Sequence, residues 1–342
     1  MDSPTQEIDA GEEFYFQWHI TERCNQRCTH CYHESYDGQG ELNLGQLTVV
    51  ADNMLAAIEK WGKKGSFSLT GGEPFLRRNE LFALARYLDK AGVVNYYDIL
   101  TNGSLIDDQT VLELTGLEKL RRIQVSIEGV TAASNDLVRG EGSFARTLAV
   151  IARLKQAGLI VSVMNTVTRA NAREIPDLID MLEAAGVDTF AIERFIPEGQ
   201  GSGIASEALS PKEIHEVFDT IHRVGAKPRP MRILMYRPLF CMLDPEDETV
   251  GAMCSVGTNA LTVMHDGTIF PCRRLPIPIG NILSDSIFKI WYDSPLLWKI
   301  RNPANLKGKC GPCELLPLCR GCRAAAYAHT GDYLAEDPQC WK

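Results

Sequence analysis

Residues 23–34 read RCNQRCTHCYHE, which places Cys24, Cys28 and Cys31 at the spacing C-x3-C-x2-C. The stretch follows FYFQWHI (14–20), an apolar segment that reads as a β-strand. Three thiolates can ligate three irons of a cubane 4Fe–4S cluster, whereas a closed cluster takes four. An open metal position is typical of a catalytic rather than a structural site. The alternatives to a cluster are a zinc site or three unrelated thiols. Motifs elsewhere in the chain are needed to distinguish these possibilities.

Strand-like and helix-like segments alternate six times between residues 14 and 225. The predicted strands are 14–20, 66–70, 95–100, 121–127, 159–167 and 188–194. The predicted helices are 44–62, 80–92, 107–116, 143–157, 173–185 and 210–225. Strand–helix units in series predict an α/β fold with a parallel sheet and right-handed crossovers. Because a full TIM barrel needs eight units, we expect a partial (β/α)6 TIM-like barrel.

Glycine-rich or polar segments stand at the carboxyl ends of the predicted strands. They are TGGEP (70–74), TNGS (101–104), SIEG (126–129) and ERFIPEGQG (193–201), with VRGEGSF (138–144) leading into a helix. The carboxyl ends of parallel strands meet at one edge of a sheet, which is where active sites of such folds lie. The sequence therefore predicts one binding site at this edge, shared with the cysteine triplet.

The remaining cysteines cluster near the carboxyl terminus: none lies between 32 and 240, and eight lie between 241 and 340. Two C-x2-C pairs this close would in isolation suggest a zinc ribbon. Upstream of them, ALTVMHDGTIFPC (260–272) predicts a hairpin turning at Asp266-Gly267. We expect a tail at 1–13, the barrel at 14–209, a bridging helix and linker at 210–240 and a cysteine-rich domain at 241–342.

The composition is that of an ordinary globular protein, with 45% hydrophobic and 23% charged residues. The net charge of −9 argues against binding to nucleic acid and to anionic lipid. No run of 18 apolar residues suggests a membrane span. The opening MDSPTQEIDAGEE lacks the apolar core of a signal peptide, so we expect a cytoplasmic protein. In that reducing compartment the 11 cysteines are expected to bind metal rather than form disulfides.

The triplet, followed by Tyr32 and then by GGEP, resembles the radical S-adenosylmethionine (SAM) enzymes. The eight later cysteines resemble the SPASM extension of that family, which carries two auxiliary 4Fe–4S clusters. The resemblance implies that the open iron binds SAM and that an electron cleaves SAM to a 5′-deoxyadenosyl radical. That radical would take a hydrogen atom from the substrate. The resemblance also implies an electron donor, such as a flavodoxin or a ferredoxin.

The same resemblance implies roles for single residues. Contacts to SAM would come from Tyr32, Gly71, Gly72, Glu73, Pro74, Asn102, Ser126, Glu128 and Arg139. In this scheme Glu73 complements the SAM ammonium and Arg139 its carboxylate. The first auxiliary cluster would take Cys254, Cys272 and Cys322 with Cys241 as fourth ligand, and the second Cys310, Cys313, Cys319 and Cys340. Because Cys241 lies further upstream than usual, an open iron in the first auxiliary cluster is the alternative.

The substrate is the least determined part of the sequence-based prediction. Relatives of this kind mostly modify side chains of peptides or proteins, and one branch modifies tetrapyrrole side chains on the way to haem. Arg273 follows Cys272 where sulfatase-maturing relatives have an aspartate, which argues against sulfatase maturation. Arg273, Arg274 and Arg194 are predicted to bind substrate carboxylates, or to balance cluster charge. We expect peptide or protein modification, with tetrapyrrole modification and a noncatalytic electron carrier as alternatives.

Overall fold

The structure, a computed structural model, describes residues 12–342. Most of the predicted tail, and with it most of the segment tested for a signal peptide, therefore lies outside the described residues. Within residues 12–342, no helix combines the length and the apolar character needed to cross a membrane.

One mixed sheet of ten strands organises the chain, in the order β10-β9-β8-β1-β2-β3-β4-β5-β6-β7. The strands are β1 (Glu13–His19), β2 (Lys64–Thr70), β3 (Val94–Leu100), β4 (Leu120–Ser126), β5 (Val161–Val167), β6 (Thr189–Arg194), β7 (Arg232–Leu234), β8 (Ala260–Val263), β9 (Thr268–Phe270) and β10 (Gly280–Asn281). Neighbours from β1 to β7 pair in parallel, as the six predicted strand–helix units require. The partial barrel is thus confirmed.

Helices cover the outer face of the sheet. They are α1 (Leu44–Lys60), α2 (Arg78–Lys90), α3 (Asp108–Thr115), α4 (Ala132–Arg139), α5 (Ser143–Gln156), α6 (Ile175–Ala184), α7 (Pro211–Gly225), α8 (Ile287–Asp293), α9 (Pro295–Arg301) and α10 (Arg323–Thr330). Successive side chains on a strand point to opposite faces of the sheet, so one set is buried in the core and the other faces the barrel interior. On β1, Phe14, Phe16 and Trp18 are buried in the apolar core, whereas Tyr15 and Gln17 line an internal cavity.

Several elements add to the sequence-based expectation, and helix α4 and the hairpin strand β8 are the two that bear on the site. Helix α4 was not predicted, because it is polar and lacks a regular spacing of apolar residues. Asn135 is its one buried residue, and a capping box between Thr131 and Ser134 marks its start. The predicted hairpin is present as β8 and β9, but β8 also pairs in parallel with β1. The cysteine-rich segment thus extends the barrel sheet. The exact domain limits remain a prediction.

Candidate active site

A cavity of about 700 Å³ occupies the interior of the partial barrel. Its wall extends from Glu13 and Tyr96, at the amino ends of the strands, to the carboxyl ends. Two sets of cysteines face it: the triplet at 24, 28 and 31, and the set at 254, 272 and 322. The cavity falls within the range of ~300–1,000 Å³ found for small-molecule and cofactor sites. Both cysteine sets therefore border the same reaction space.

N–H groups surround the sulfurs of the triplet. They are Gln26 N and Asn102 Nδ2 toward Cys24 Sγ (3.4 and 3.8 Å), His33 N toward Cys31 Sγ (3.5 Å), and Arg139 Nη1 toward Cys28 Sγ (4.0 Å). Burial raises the pKa of the Cys28 thiol to about 11. A thiolate there therefore depends on a compensating cation, which iron supplies, and on N–H donors, which these groups provide.

The described residues show no preformed site for a single metal ion. Within the described chain, no three cysteine, histidine or carboxylate side chains converge closely enough to hold a single metal ion. Zinc needs such convergence, with each sulfur about 2.3 Å from the metal. A cubane cluster distributes its thiolates over separate irons and does not need it. The donor sets themselves, thiolates in groups of three and four around the two cavities, have the chemistry that iron–sulfur clusters use.

The glycines of the GGEP segment line the cavity beside the triplet. A Cβ on Gly71 would lie 2.5 Å from the Thr21 carbonyl oxygen, and one on Gly72 would lie 2.4 Å from that of Arg23. Backbone contact with the chain that leads into the triplet therefore requires glycine at both positions. This contact fixes GGEP next to the cysteines.

Glu73 and Pro74 are not among the residues that line the cavity. The Glu73 carboxylate accepts hydrogen bonds from Phe75 N (3.1 Å), Thr101 Oγ1 (2.7 Å) and Asn102 N (2.7 Å). Complete burial raises its pKa to about 7 despite these donors. Pro74 begins a buried 3₁₀ turn. These two residues hold the neighbouring loops in place, and their predicted contact with SAM stays a prediction.

Glu128 is also engaged within the protein. Its carboxylate accepts from Arg139 Nε (3.0 Å) and Nη2 (2.7 Å) and from Thr166 N (2.7 Å), and it lies 3.0 Å from His30 Nε2. Burial would raise its pKa, but His30 and Arg139 outweigh burial and hold it at about 2. Glu128 does not border the cavity, whereas Ser126, Asn102 and Arg139 do. Sequence reasoning did not find His30 as its partner.

Seven arginines line the cavity, and six of them pair with carboxylates. The pairs are Arg121 and Arg122 with Asp98, Arg139 with Glu128, Arg194 with Asp337, and Arg237 and Arg274 with Glu193. Arg194 and Arg274 are thus paired at 2.8 and 2.6 Å, and their predicted binding of substrate carboxylates stays a prediction. The sequence could place Glu193 near this cavity, because it lies at the end of a predicted strand. No sequence signal indicated Asp337 as a partner.

Arg273 is the one arginine of these seven that forms no ion pair within the described part of the chain. It has no carboxylate partner, and its Nε is buried without a hydrogen-bond acceptor. Its guanidinium carbon lies 4.4 Å from the centre of the Tyr32 ring, beside the buried His33, whose pKa falls to about 3 through burial and then through the charge of Arg273. Arg273 faces the cavity close to the triplet, and its charge opposes the rise that burial causes in the pKa of Glu22 and of Glu198.

A second cavity of about 400 Å³ lies away from the barrel interior and is lined by Cys310, Cys313, Cys319 and Cys340. These are the four cysteines expected to form the second auxiliary site. The role of Cys241 as fourth ligand of the first auxiliary cluster stays a prediction. Cys241 lies beside Cys319, and it is not among the described residues that line the larger cavity with Cys254, Cys272 and Cys322. The spacing of the cysteines in the sequence could not reveal the position of Cys241 beside Cys319, because the backbone between 232 and 254 is mostly irregular.

Comparison with known proteins identifies the class of iron–sulfur enzyme that the cysteine and glycine motifs resemble. The radical SAM superfamily model matches residues 18–192, and the SPASM iron–sulfur cluster-binding domain matches residues 254–323. The chain belongs to the radical SAM superfamily, and its cofactors are SAM and 4Fe–4S clusters. The AdoMet-dependent heme synthase of Methanosarcina barkeri is 33% identical over 340 residues, covering 94% of this chain and 95% of that one.

Other relatives are more distant. The mycofactocin maturase MftC of Mycobacterium ulcerans is 29% identical over 94% of this chain and 86% of its own. Streptococcus suis SuiB, solved bound to the precursor peptide SuiA, is similar in fold, with a TM-score of 0.76 at 17% identity over 98% of this chain and 78% of that one. These relatives include proteins named for haem synthesis and others named for peptide maturation.

Proposed function

We propose that this enzyme uses SAM radical chemistry to modify a carboxylate-bearing side chain of a tetrapyrrole, in the formation of haem or a related cofactor. The observation that carries the proposal is the near full-length similarity to a heme synthase at 33% identity. Peptide modification, the first expectation from the sequence, takes second place, because the maturase relative is less similar over the same length.

The unpaired Arg273 supports a substrate with carboxylates. Its Nε is buried without an acceptor, so a carboxylate that reaches the guanidinium would gain charge-assisted hydrogen bonds. A guanidinium also binds carboxylate through two parallel hydrogen bonds, which fixes orientation as well as charge. Haem-type tetrapyrroles carry carboxylate side chains, and the cavity beside Arg273 is about 700 Å³.

The chain's own residues would then divide the remaining work. The triplet would hold the SAM-binding cluster, and Ser126, Asn102 and Arg139 face the cavity where they can orient SAM. The bound cluster and SAM supply the radical that takes a hydrogen atom from the substrate. The barrel walls would shield the bound substrate from part of the solvent. A flavodoxin or ferredoxin is the proposed source of the electron.

The test uses anaerobically reconstituted enzyme with SAM, a chemical reductant and Fe-coproporphyrin III, with 5′-deoxyadenosine and the porphyrin product as readouts. We expect substrate-dependent formation of both. In Arg273→Ala the apparent KM for the porphyrin should rise by about 10–100-fold, as expected for a lost charged hydrogen bond. Arg273→Lys should fall between, and Arg146→Ala, an exposed arginine, should match the native enzyme.

Two results would count against the proposal in different ways. If 5′-deoxyadenosine forms only with a precursor peptide, the tetrapyrrole assignment is wrong. If the porphyrin is modified but Arg273→Ala leaves its KM unchanged, the function stands and the role of Arg273 is wrong.

A further inference from the structure

The cavity of the second auxiliary site opens at the surface of the molecule. Four of the residues that line it are exposed, namely Lys309, Pro312, Glu314 and Lys342. It shares no lining residue with the barrel cavity, so a macromolecule could reach it without entering the space proposed for SAM and the tetrapyrrole. This opening is therefore a part of the candidate site that a partner protein can contact.

Apolar side chains lie in and around this opening. Leu315 and Leu316 line it and are half-buried, and Leu318 on the same loop is 39% exposed. Pro312 and Pro317 of this loop are exposed as well. Apolar side chains gathered at the surface, with polar residues at their rim, are typical of a protein-binding surface.

The residues around the opening are cationic, in contrast to the chain as a whole. Between positions 299 and 323 there are six lysines and arginines and one acidic residue, although the net charge of the chain is −9. Lys309, Arg320 and Lys342 line the opening itself. Lys342 pairs with Glu314, whereas Lys309 and Arg320 form no ion pair within the described part of the chain.

Two further carboxylates near the opening are already engaged inside the protein. Glu336 accepts a hydrogen bond from Lys309 N at 2.7 Å. Asp337 lines the opening but is buried, and it pairs with Arg194 at 2.8 Å. Glu314 is thus the one exposed acidic residue among the described residues that line the opening.

The cysteines of this site have a counter-charge of their own inside the protein. Arg323 is 2% exposed, and its Nη2 donates toward Cys310 Sγ at 3.7 Å. Solvated lysines at a rim contribute little to balancing a buried charge, because water and salt screen them. The exposed Lys309 and Lys342 therefore remain free to contact a partner.

We propose that this opening, with Lys309, Arg320, Lys342 and the apolar loop at 311–318, is the docking surface for an acidic electron-carrier protein. The inference rests on the proposed function, in which SAM cleavage takes an electron from outside the chain. The rim cations would attract an acidic protein and steer its approach, and the exposed leucine would be buried on contact. Electron-transfer complexes bury small areas, below ~1,200 Å², so a single loop and its rim are sufficient.

The test measures the binding of a flavodoxin, an acidic one-electron carrier, to the anaerobically reconstituted full chain by calorimetry at low and at high salt. The variants change the charge of the rim in opposite directions, with Lys309→Glu making it more acidic and Glu314→Lys more basic. Lys90→Glu, at an exposed lysine on α2, is the matched control. Iron per chain is measured to verify that each variant keeps its clusters.

We expect Lys309→Glu to weaken binding about tenfold at low salt and Glu314→Lys to strengthen it, while Lys90→Glu matches the native enzyme. The differences should shrink as salt rises, because salt screens surface charges. Cytochrome c, a basic electron carrier, should not bind.

Three results would overturn the proposal: no binding of flavodoxin, native affinity in Lys309→Glu, or weaker binding in Glu314→Lys with its iron retained. SAM and substrate are absent from the experiment, so it does not depend on the tetrapyrrole assignment. A chain that binds flavodoxin as expected but modifies no porphyrin would keep the docking surface and contradict the proposed function alone.

Discussion

Glu73 illustrates how one buried carboxylate can organise two loops. It lies directly after the glycines that need close backbone contact, and it binds Thr101 and the Asn102 backbone on the next loop. Asn102 in turn donates toward Cys24 Sγ at 3.8 Å. Glu73 therefore connects GGEP to the triplet without reaching the cavity itself.

The raised pKa of Glu73, about 7 against an ordinary 4.5, makes stability depend on pH. A raised folded pKa contributes stability that is complete below pH ~4.5 and is lost as pH rises through about 7. We expect the native protein to lose about 1–2 kcal/mol of unfolding free energy between pH 6 and pH 8 that Glu73→Gln does not lose. Anaerobic thermal unfolding at both pH values measures this.

Glu118→Gln is the control for that experiment, because Glu118 is exposed. It should follow the native protein at both pH values. Equal pH dependence in the native protein and Glu73→Gln would show that Glu73 is ionised in the fold throughout this range.

At the residue scale, the sequence identified residue types better than their partners. Strand ends and glycine motifs indicated Gly71, Gly72 and Ser126, all of which line the cavity; whether they contact SAM stays a prediction. The sequence could not tell Arg273 from Arg274, because the pairing of Arg274 depends on Glu193, which is distant in sequence. Long-range ion pairs of this kind have no local pattern.

At the element scale, the carboxyl-terminal segment is fastened to the barrel by Asp337. Its carboxylate pairs with Arg194 on β6 at 2.8 Å and accepts from Cys322 N at 2.7 Å. Arg194 and Asp337 are both buried. The pair thus joins a barrel strand to a cysteine of the first auxiliary set.

Asp337→Asn should destabilise the protein by about 3–5 kcal/mol, because it leaves Arg194 buried without a counter-charge. The same change should lower the iron content, since Cys322 loses a fixed position. Chemical unfolding under anaerobic conditions and iron analysis measure the two effects. Asp332→Asn, which removes a surface pair with Lys307, should cost less than ~1 kcal/mol. Equal losses in the two variants would contradict this role of Asp337.

Elements with an apolar period were predictable, and those without one were not. The strands and helices of the barrel carry regular buried positions, so the predicted segments match the observed ones within a few residues. Helix α4 is polar and is defined by its cap, and β7 has only three residues. The pairing of β8 with β1 joins segments more than 200 residues apart, which no local pattern encodes.

At the scale of the whole molecule, the pairing of β8 with β1 makes the cysteine-rich segment part of the barrel sheet. β1 has β2 on one side and β8 on the other, and it leads directly into the triplet. An event that loosens β8 therefore exposes an edge of the strand that positions the SAM-binding cysteines.

We therefore expect β1 and β8 to open together when the auxiliary clusters are lost. In a chain with the eight cysteines at 241–340 changed to Ala, hydrogen exchange should show reduced protection in Ala260–Val263 and also in Tyr15–Trp18. Val161–Val167, in the middle of the barrel sheet, should keep its protection.

The control changes only Cys24, Cys28 and Cys31 to Ala and should leave β8 protected, because the β8–β1 ladder does not involve them. If β8 opened while β1 stayed fully protected, the two parts of the chain would be independent units that share only a packing contact. Joint opening would show that the auxiliary clusters stabilise the adjacent strand β1, which leads into the SAM-binding cysteines.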